Sequence, residues 1–388
     1  LLTLSVVDRE RMEFMRIAIV RRARGVSFSM DVYADGIVHG LKAVRPQWDI
    51  LELSPDATPP YLGKSPIAGA WKYTERYWRF PSRVKRLRAD IVHVVDHSDG
   101  HFGYWLQAAS TPLVVTCHDL INFIQPENIS DQARFAPISA AFWRLAVKGI
   151  CHADRILTVS DHTAKDVMRL LPIEPARVTT IPNAVEPCFQ TGSSYEIAAI
   201  RQQYKLAPET ICLLNVGSNH PRKNMETVLQ ALRVLKEKGI SVHLLKSGAS
   251  FNAAQQAFIR THHLSDVITH VGRTPKDTLV KLYNAADVLL TPSLYEGFGM
   301  TVLEAMACGT PVIASNVTSL PEVTGDAAVV VKPLDVGAIV QAVCRIRDDP
   351  AFRRSLIEKG LARVQSFTWE CTAERIAEVY EHLSDDLL

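Results

Sequence analysis

Residues 286–311 read ADVLLTPSLYEGFGMTVLEAMACGTP, and the rest of the chain is best understood outward from them. The run 286–291 is short and apolar, the pattern of a buried strand. Residues 302–308 follow as a helix, which Gly309 ends and Pro311 keeps from continuing. Between them lies a loop with Gly297, Phe298 and Gly299, flanked by Glu296 and Glu304. A strand-to-helix loop at the carboxyl edge of a parallel sheet is where open α/β folds bind ligands. The two glycines let backbone approach a ligand closely, and the N–H groups near Met300 and Thr301 at the helix start favour an anion such as a phosphate. Glu304, one turn into the helix, is placed to accept hydrogen bonds from a diol such as a ribose. Together these features fit a nucleotide sugar. Taken alone, a Gly-x-Gly loop is a weak signal, and glutamates at helix ends are usually solvated or capping.

Outward from this stretch the pattern repeats. Apolar β-rich runs at 16–20, 48–53, 90–95, 112–117, 155–159 and 177–181 alternate with segments long enough for crossover helices. A polar stretch at 190–209 interrupts them. The alternation then restarts at 211–216, 241–245, 267–271, 286–291, 311–314 and 327–331, with an amphipathic helix pattern at 225–238. Two doubly wound α/β domains in series follow, an architecture shared by many unrelated proteins. The length of 388 residues agrees, since single cores rarely grow that large. The boundaries fall at 15–190, 208–368 and a terminal amphipathic helix within 369–388. Residues 1–14 read as a disordered extension or an upstream start.

Composition narrows the classes further. With 47% hydrophobic and 22% charged residues and a formal charge of +2, the chain has no global reason to bind nucleic acid. Its 7 cysteines are scattered, without a C-x-x-C pair, which suits a reducing cytoplasm and argues against a zinc site. No apolar run reaches the ~20 residues of a membrane span. The Gly-x-Gly-x-x-Gly of a dinucleotide oxidoreductase is missing after the first strand.

Three further sites carry chemistry. In NVGSNHPRKN, residues 215–224, a strand ends at Gly217 and a helix begins near Asn224, so Arg222 and Lys223 sit on the loop between. Two cations at a helix start are unfavourable unless an anion joins them, and a diphosphate supplies one; the plain alternative is a solvated surface pair. The strand 114–117 runs into His118-Asp119, a histidine that either faces a ligand or bonds to backbone. Ser160 and Asn183 also stand at strand ends. Finally, residues 71–88, WKYTERYWRFPSRVKRLR, hold seven cations against Glu75 alone, interleaved with aromatics. That segment is a candidate for peripheral contact with an anionic membrane, or else a solvated helix packed on the first domain; Pro81 is expected to break it.

The stretch 293–316, SLYEGFGMTVLEAMACGTPVIASN, resembles the donor-site signature of glycosyltransferase family 4, retaining enzymes of the GT-B fold. The resemblance implies two Rossmann-like domains facing across a cleft, with the terminal helix crossing back onto the first domain, anchored by Trp369. A packing helix of the second domain fits its periodicity equally. The resemblance also implies a hexosyltransferase, with Glu304 on the donor ribose, Glu296 on the transferred hexose, Lys223 and Arg222 on the diphosphate, and His118 beside the anomeric carbon. Many family members carry arginine right after the glycine, where this chain has Ser218. Its Pro-Arg-Lys-Asn form belongs to a recognisable subset, many of them mannosyltransferases. Gly248 and Arg273 align with loops that cradle the base, so the donor is expected to be a GDP-sugar or UDP-sugar, and mannose is favoured. No Asp-x-Asp pair is evident between the domains, so metal independence is expected. The glycine loop after the first strand is reduced to Ala23-Arg24-Gly25. A saccharide or lipid-linked acceptor is expected, in the cytoplasm or at the inner face of its membrane. An epimerase of the same fold and a non-catalytic sugar-nucleotide scaffold are the alternatives.

Overall fold

The computed structural model describes residues 14–59, 61, 63, 65–124 and 137–385. The chain divides into two compact units: Leu1–Ala184 with Trp369–Leu388, and Val185–Thr368. Each is built on one parallel six-stranded sheet, in agreement with the alternation read from the sequence. The expectation placed on residues 1–14 falls, save for residue 14, outside the described residues.

In the first unit the strands are β1 (Arg16–Val20), β2 (Asp49–Leu53), β3 (Ile91–Val94), β4 (Leu113–Cys117), β5 (Arg155–Thr158) and β6 (Val178–Thr180), in the order β2-β1-β3-β4-β5-β6. β1, β3 and β4 are buried along nearly their whole length, the near-continuous apolar run of a strand covered on both faces. Since β1 pairs with both β2 and β3, the strand order reverses there. One face is closed by the helices Phe28–Val44 and Trp369–Asp385, which meet at Gly36 and Gly40. Trp369 fills the space over Gly36, and Tyr380, fully buried, reaches His93 at 2.5 Å. Outside this seam, Arg45 pairs with Glu374 and Glu381, each at 2.8 Å.

Pro81 does not break the segment 66–85. Helix Pro66–Thr74 passes into a π-turn, Glu75–Arg79, and on into Phe80–Lys85. The wider i→i+5 turn closes with the Phe80 N–H on the Glu75 carbonyl, just before the residue that has no N–H to donate. The segment is therefore helical throughout. Phe80 turns inward against Phe102 at 5.4 Å, while Trp78 is exposed.

In the second unit the strands are β7 (Ile211–Gly217), β8 (Val242–Gly248), β9 (Ile268–Gly272), β10 (Val288–Thr291), β11 (Val312–Ser315) and β12 (Val329–Val331). Their order, β12-β11-β10-β7-β8-β9, reverses between β7 and β10, where the chain crosses from one side of the sheet to the other. The polar stretch expected to be the junction instead carries a helix, Ser194–Gln203, started by a capping box between Ser193 and Glu196. It belongs to the second unit, whose first residue is Val185. Its weak apolar periodicity hid it, because Arg201 rather than an apolar stripe ties it down, bonding the carbonyls of Ala285 and Thr210 and the carboxylate of Asp287.

Candidate active site

A doubly wound sheet binds ligands outside the carboxyl ends of its strands where the order reverses. In the second unit that point lies between the loops that follow β7 and β10, and both carry charged residues inward. After β7 a short 3₁₀ turn, Pro221–Lys223, leads through Asn224 into the helix Met225–Glu237. Asn224 is left-handed, with φ of 55°, and its side chain holds the turn in place. Its Nδ2 donates to the carbonyls of Pro292 at 2.8 Å and Pro333 at 2.7 Å, and its Oδ1 accepts from Thr227 at 2.8 Å. The two loops are thereby locked together.

The locked turn delivers Arg222 and Lys223 to Glu296. Arg222 Nη1 donates to Glu296 Oε2 at 2.8 Å, and Lys223 Nζ donates to Oε1 at 2.6 Å. Ser293 Oγ adds a third bond at 2.7 Å. Burial alone would push the Glu296 carboxyl up; the charges of Lys223 and Arg222 outweigh it and hold it at about 2. The anion that the sequence demanded beside the two cations is, in this structure, a carboxylate of the same chain. Its backbone is equally fixed, since the Glu296 N–H donates to Thr318 Oγ1 at 3.0 Å. The Ser319 hydroxyl lies 2.9 Å from the Glu296 carbonyl and 2.7 Å from that of Phe298.

Gly299 caps the helix Met300–Ala307 with φ of 119°, and a Cβ there would come to 2.8 Å from Leu320. Having no side chain, it leaves the N–H groups of Met300 and Thr301 without a helical partner, a site that favours negative charge. Phe298 is buried beneath the loop, and Gly297 is half-buried. Further along the helix, Glu304 Oε2 accepts a bond from the buried Tyr283 hydroxyl at 2.7 Å. Burial raises the Glu304 carboxyl to about 7, with the Tyr283 bond opposing. The two glutamates thus differ: one is held charged by cations, the other stands at the edge of ionisation.

Gly217 and Gly248 end β7 and β8 side by side, with φ of 136° and 105°. A Cβ on Gly248 would run into the Gly217 carbonyl. Sequence reasoning missed Lys246 beneath them. It is fully buried, and its ammonium donates to the carbonyls of Gly217 at 2.8 Å and Ser247 at 2.9 Å. Burial, with Lys223 nearby, brings its pKa down to about 8. A lysine directly after the apolar pair Leu244-Leu245 was the available signal. Arg273 is not joined to this cluster: it is exposed on the loop after β9, an edge strand two positions from β7.

His118 belongs to the first unit, at the end of β4, and is buried. Its Nε2 lies 2.8 Å from the Val95 carbonyl, and Tyr33 meets its ring edge-on at 4.6 Å. A carbonyl only accepts, so Nε2 carries the proton, and burial lowers the imidazole pKa and keeps the ring neutral. Ser160 caps the helix Asp161–Leu170 through Thr163 N at 3.0 Å, a structural use, and Asn183 is buried near the unit's edge of sequence. The loop after β1 is pinned by Arg21, which is buried and paired with Asp31, Asp35 and Glu52. Among the described residues, no group of three histidines, cysteines or carboxylates is arranged to hold a metal ion, and no helix is long and apolar enough to cross a membrane.

Two Rossmann-like units, one with a glycine loop and a cation–carboxylate cluster at its switch point, have the architecture of the GT-B glycosyltransferases. Residues 196–363 match the family described as glycosyl transferases group 1, and residues 46–188 match glycosyltransferase family 4. The chain is 35% identical over 268 residues to the O-antigen chain mannosyltransferase B of Escherichia coli, covering 68% of each. It is 30% identical over 322 residues to the serotype-specific mannosyltransferase WbdA of Escherichia coli, covering 77% of this chain and 38% of that one. The chain thus spans about two-fifths of WbdA. Among solved structures, sucrose-phosphate synthase from Thermosynechococcus elongatus superposes with a TM-score of 0.75 at 24% identity, over 96% of this chain and 100% of that one. The chain belongs to the family 4 glycosyltransferases and is an enzyme of that class.

Proposed function

We propose that this enzyme transfers a hexosyl group, with mannose favoured, from GDP-sugar or UDP-sugar to a hydroxyl of a saccharide or lipid-linked acceptor, with retention at the anomeric carbon. The carrying observation is the Arg222–Glu296–Lys223 cluster, with Glu296 buried and the cations half-buried, beside the helix start at Met300, where Gly299 offers no side-chain cap. Two cations against one carboxylate leave the cluster net positive, the complement of a diphosphate. As the bond from the anomeric carbon to the diphosphate oxygen breaks, negative charge grows on that oxygen. In this reading Arg222, Lys223 and the N–H groups of Met300 and Thr301 stabilise it. Removal of one such donor costs ~3–4 kcal/mol, or about a hundred- to thousandfold in rate.

Glu304 takes the ribose diol, since an ionised carboxylate accepts from both hydroxyls. Gly217 and Gly248 bring main chain close to the base. Glu296, bound on both oxygens, serves as a binding group for hexose hydroxyls and as the counter-charge of the cations, rather than as a nucleophile. The role of His118 beside the transferred sugar rests on the His-Asp-Leu pattern; a neutral ring protonated at Nε2 offers Nδ1 as an acceptor. The mannosyltransferase relatives support the choice of sugar. A cytoplasmic location belongs to the same proposal, and exposed Trp78 with the cations of 79–88 supports peripheral contact with an anionic bilayer.

Calorimetric titration with GDP, UDP, ADP and GDP-mannose tests the reading, with Glu304→Ala alongside. Tight binding of one nucleotide, lost in the variant, is expected and names the base. Binding of none overturns the donor site, and binding without transfer or hydrolysis favours a scaffold.

A further inference from the structure

The second unit buries a cation that meets no carboxylate among the described residues. Lys246 lies two residues before β8 ends, and its side chain is wholly enclosed. Arg21, Arg201 and Lys223 are each more accessible, yet each is paired with a carboxylate, of Asp31, Asp287 and Glu296 in turn. Lys246 has only carbonyls, those of Gly217 at 2.8 Å and Ser247 at 2.9 Å. Carbonyl dipoles solvate an ammonium in part, but a buried charge without an opposite one is costly, and such groups gather at functional sites.

Gly217 is flanked by two ammoniums. Lys246 holds its carbonyl, and a Cβ on it would stand 3.8 Å from Lys223 Nζ. Burial and this like charge together bring the Lys246 pKa down to about 8. The charged groups on the elements packed around this end of β8 do not offset it. Glu226, in the first turn of the helix Met225–Glu237, is exposed and accepts from Gln255 at 2.8 Å. His270, the register partner on β9, sets its Nε2 3.1 Å from the Gly248 carbonyl, and Arg273 beyond it is exposed. Asn215, the partner on β7, is uncharged. Arg222 and Lys223 against Glu296 leave one positive charge in excess, and Lys246 makes it two. The diphosphate of a sugar nucleotide carries two negative charges, one on each phosphate.

The hold on Gly217 also has a direction. In a trans peptide the C=O and the N–H point opposite ways, so a carbonyl drawn to Lys246 aims the Ser218 N–H to the opposite side of the strand end. We propose that Lys246 is a positioning residue for the donor diphosphate: from beneath Gly217 and Gly248 it fixes the Gly217–Ser218 peptide and supplies the second unbalanced positive charge, without touching the ligand. This assignment rests on the sugar-nucleotide reading above and names a residue that the reading does not use.

All 6 tryptophans of the chain (48, 71, 78, 105, 143 and 369) lie in the first unit, so fluorescence does not report this site and calorimetry does. The full chain is titrated with GDP-mannose and UDP-glucose. Whichever binds is compared with its nucleoside, guanosine or uridine, followed by saturation-transfer NMR. Lys246→Met removes the charge and the tether, whereas Lys246→Gln removes the charge and keeps an N–H for a carbonyl. Both variants should bind the sugar nucleotide about tenfold more weakly and the nucleoside as the unaltered chain does. Sugar-nucleotide affinity of the unaltered chain should fall as the pH rises past about 8, where Lys246 loses its proton, and both variants should lack that fall. Equal losses for sugar nucleotide and nucleoside reveal a merely structural lysine and overturn the proposal. Wild-type affinity in Lys246→Gln, or a fall with pH that survives in it, overturns it too. An unaltered chain that binds neither sugar nucleotide overturns the donor reading itself, a result separate from any variant.

Discussion

Replacing Glu296 by glutamine isolates the charge of the carboxylate that joins the two donor-site loops. The side chain is 9% exposed, so solvent screens it little, and glutamine keeps the shape that Ser293, Arg222 and Lys223 enclose. Moving a carboxyl from its ordinary 4.5 to about 2 corresponds to ~3 kcal/mol in favour of the folded, ionised form. Because the folded value is the lower one, this stabilisation is complete above pH 4.5 and is lost as the pH falls through about 2. Glu296→Gln should therefore destabilise the second unit by up to ~3 kcal/mol at pH 7 and progressively less below pH 4.5. Tryptophan fluorescence reports only the first unit, so the assay is amide hydrogen exchange of β7 and β10. Their protection should fall by about a hundredfold at pH 7 and converge toward wild type near pH 3. A second readout is GDP or UDP binding, which should hold or strengthen because the variant cluster gains one net positive charge. An equal loss of protection at pH 3 and pH 7, or none at either, would refute the reasoning.

Three other expectations follow from single contacts. With the Glu304 carboxyl at about 7, nucleotide affinity should rise as the pH passes from 6 to 8; Glu304→Gln should flatten that profile, and an unchanged profile in calorimetry would count against the ribose assignment. Gly248→Ala forces a Cβ into the Gly217 carbonyl at φ of 105°, so the second unit should lose ~3 kcal/mol or more by urea unfolding and its nucleotide binding with it. Gly272→Ala, with open space around it and only the positive φ against it, should cost ~1–2 kcal/mol. Gly36→Ala should destabilise the first unit by ~1–3 kcal/mol through overpacking against Trp369, and much of that loss should disappear in the Trp369→Leu background.

Both sheets and the donor loop were legible in the sequence because each rests on local pattern. Strand runs such as 288–291 are apolar throughout, and Gly299 and Gly309 punctuate the helix between them. Tertiary pairings were not legible. Glu296 meets Arg222 and Lys223 across more than seventy residues, so the cations were read as awaiting a ligand when a carboxylate already sits between them. Lys246 lies just past the run read as a strand, 241–245, and nothing local announces that it ties two strand ends from below. Pro81 was expected to end its helix because the rule treats the α-turn as the only option; a π-turn one residue upstream absorbs it. The helix Ser194–Gln203 was passed over because its anchoring is polar, carried by Arg201.

The seam between Phe28–Val44 and Trp369–Asp385 bears on how the enzyme is made. A ribosome finishes β1 through β6 and the whole second unit before it adds Trp369. Throughout that interval the Gly36–Gly40 groove has no indole to fill it, and Arg45 lacks both of its carboxylate partners. The second unit is contiguous and free to fold first, while the first waits half-formed, exposing an apolar face that invites chaperones. A nonsense mutation just before the codon for Trp369 would then injure the unit whose six strands were translated first.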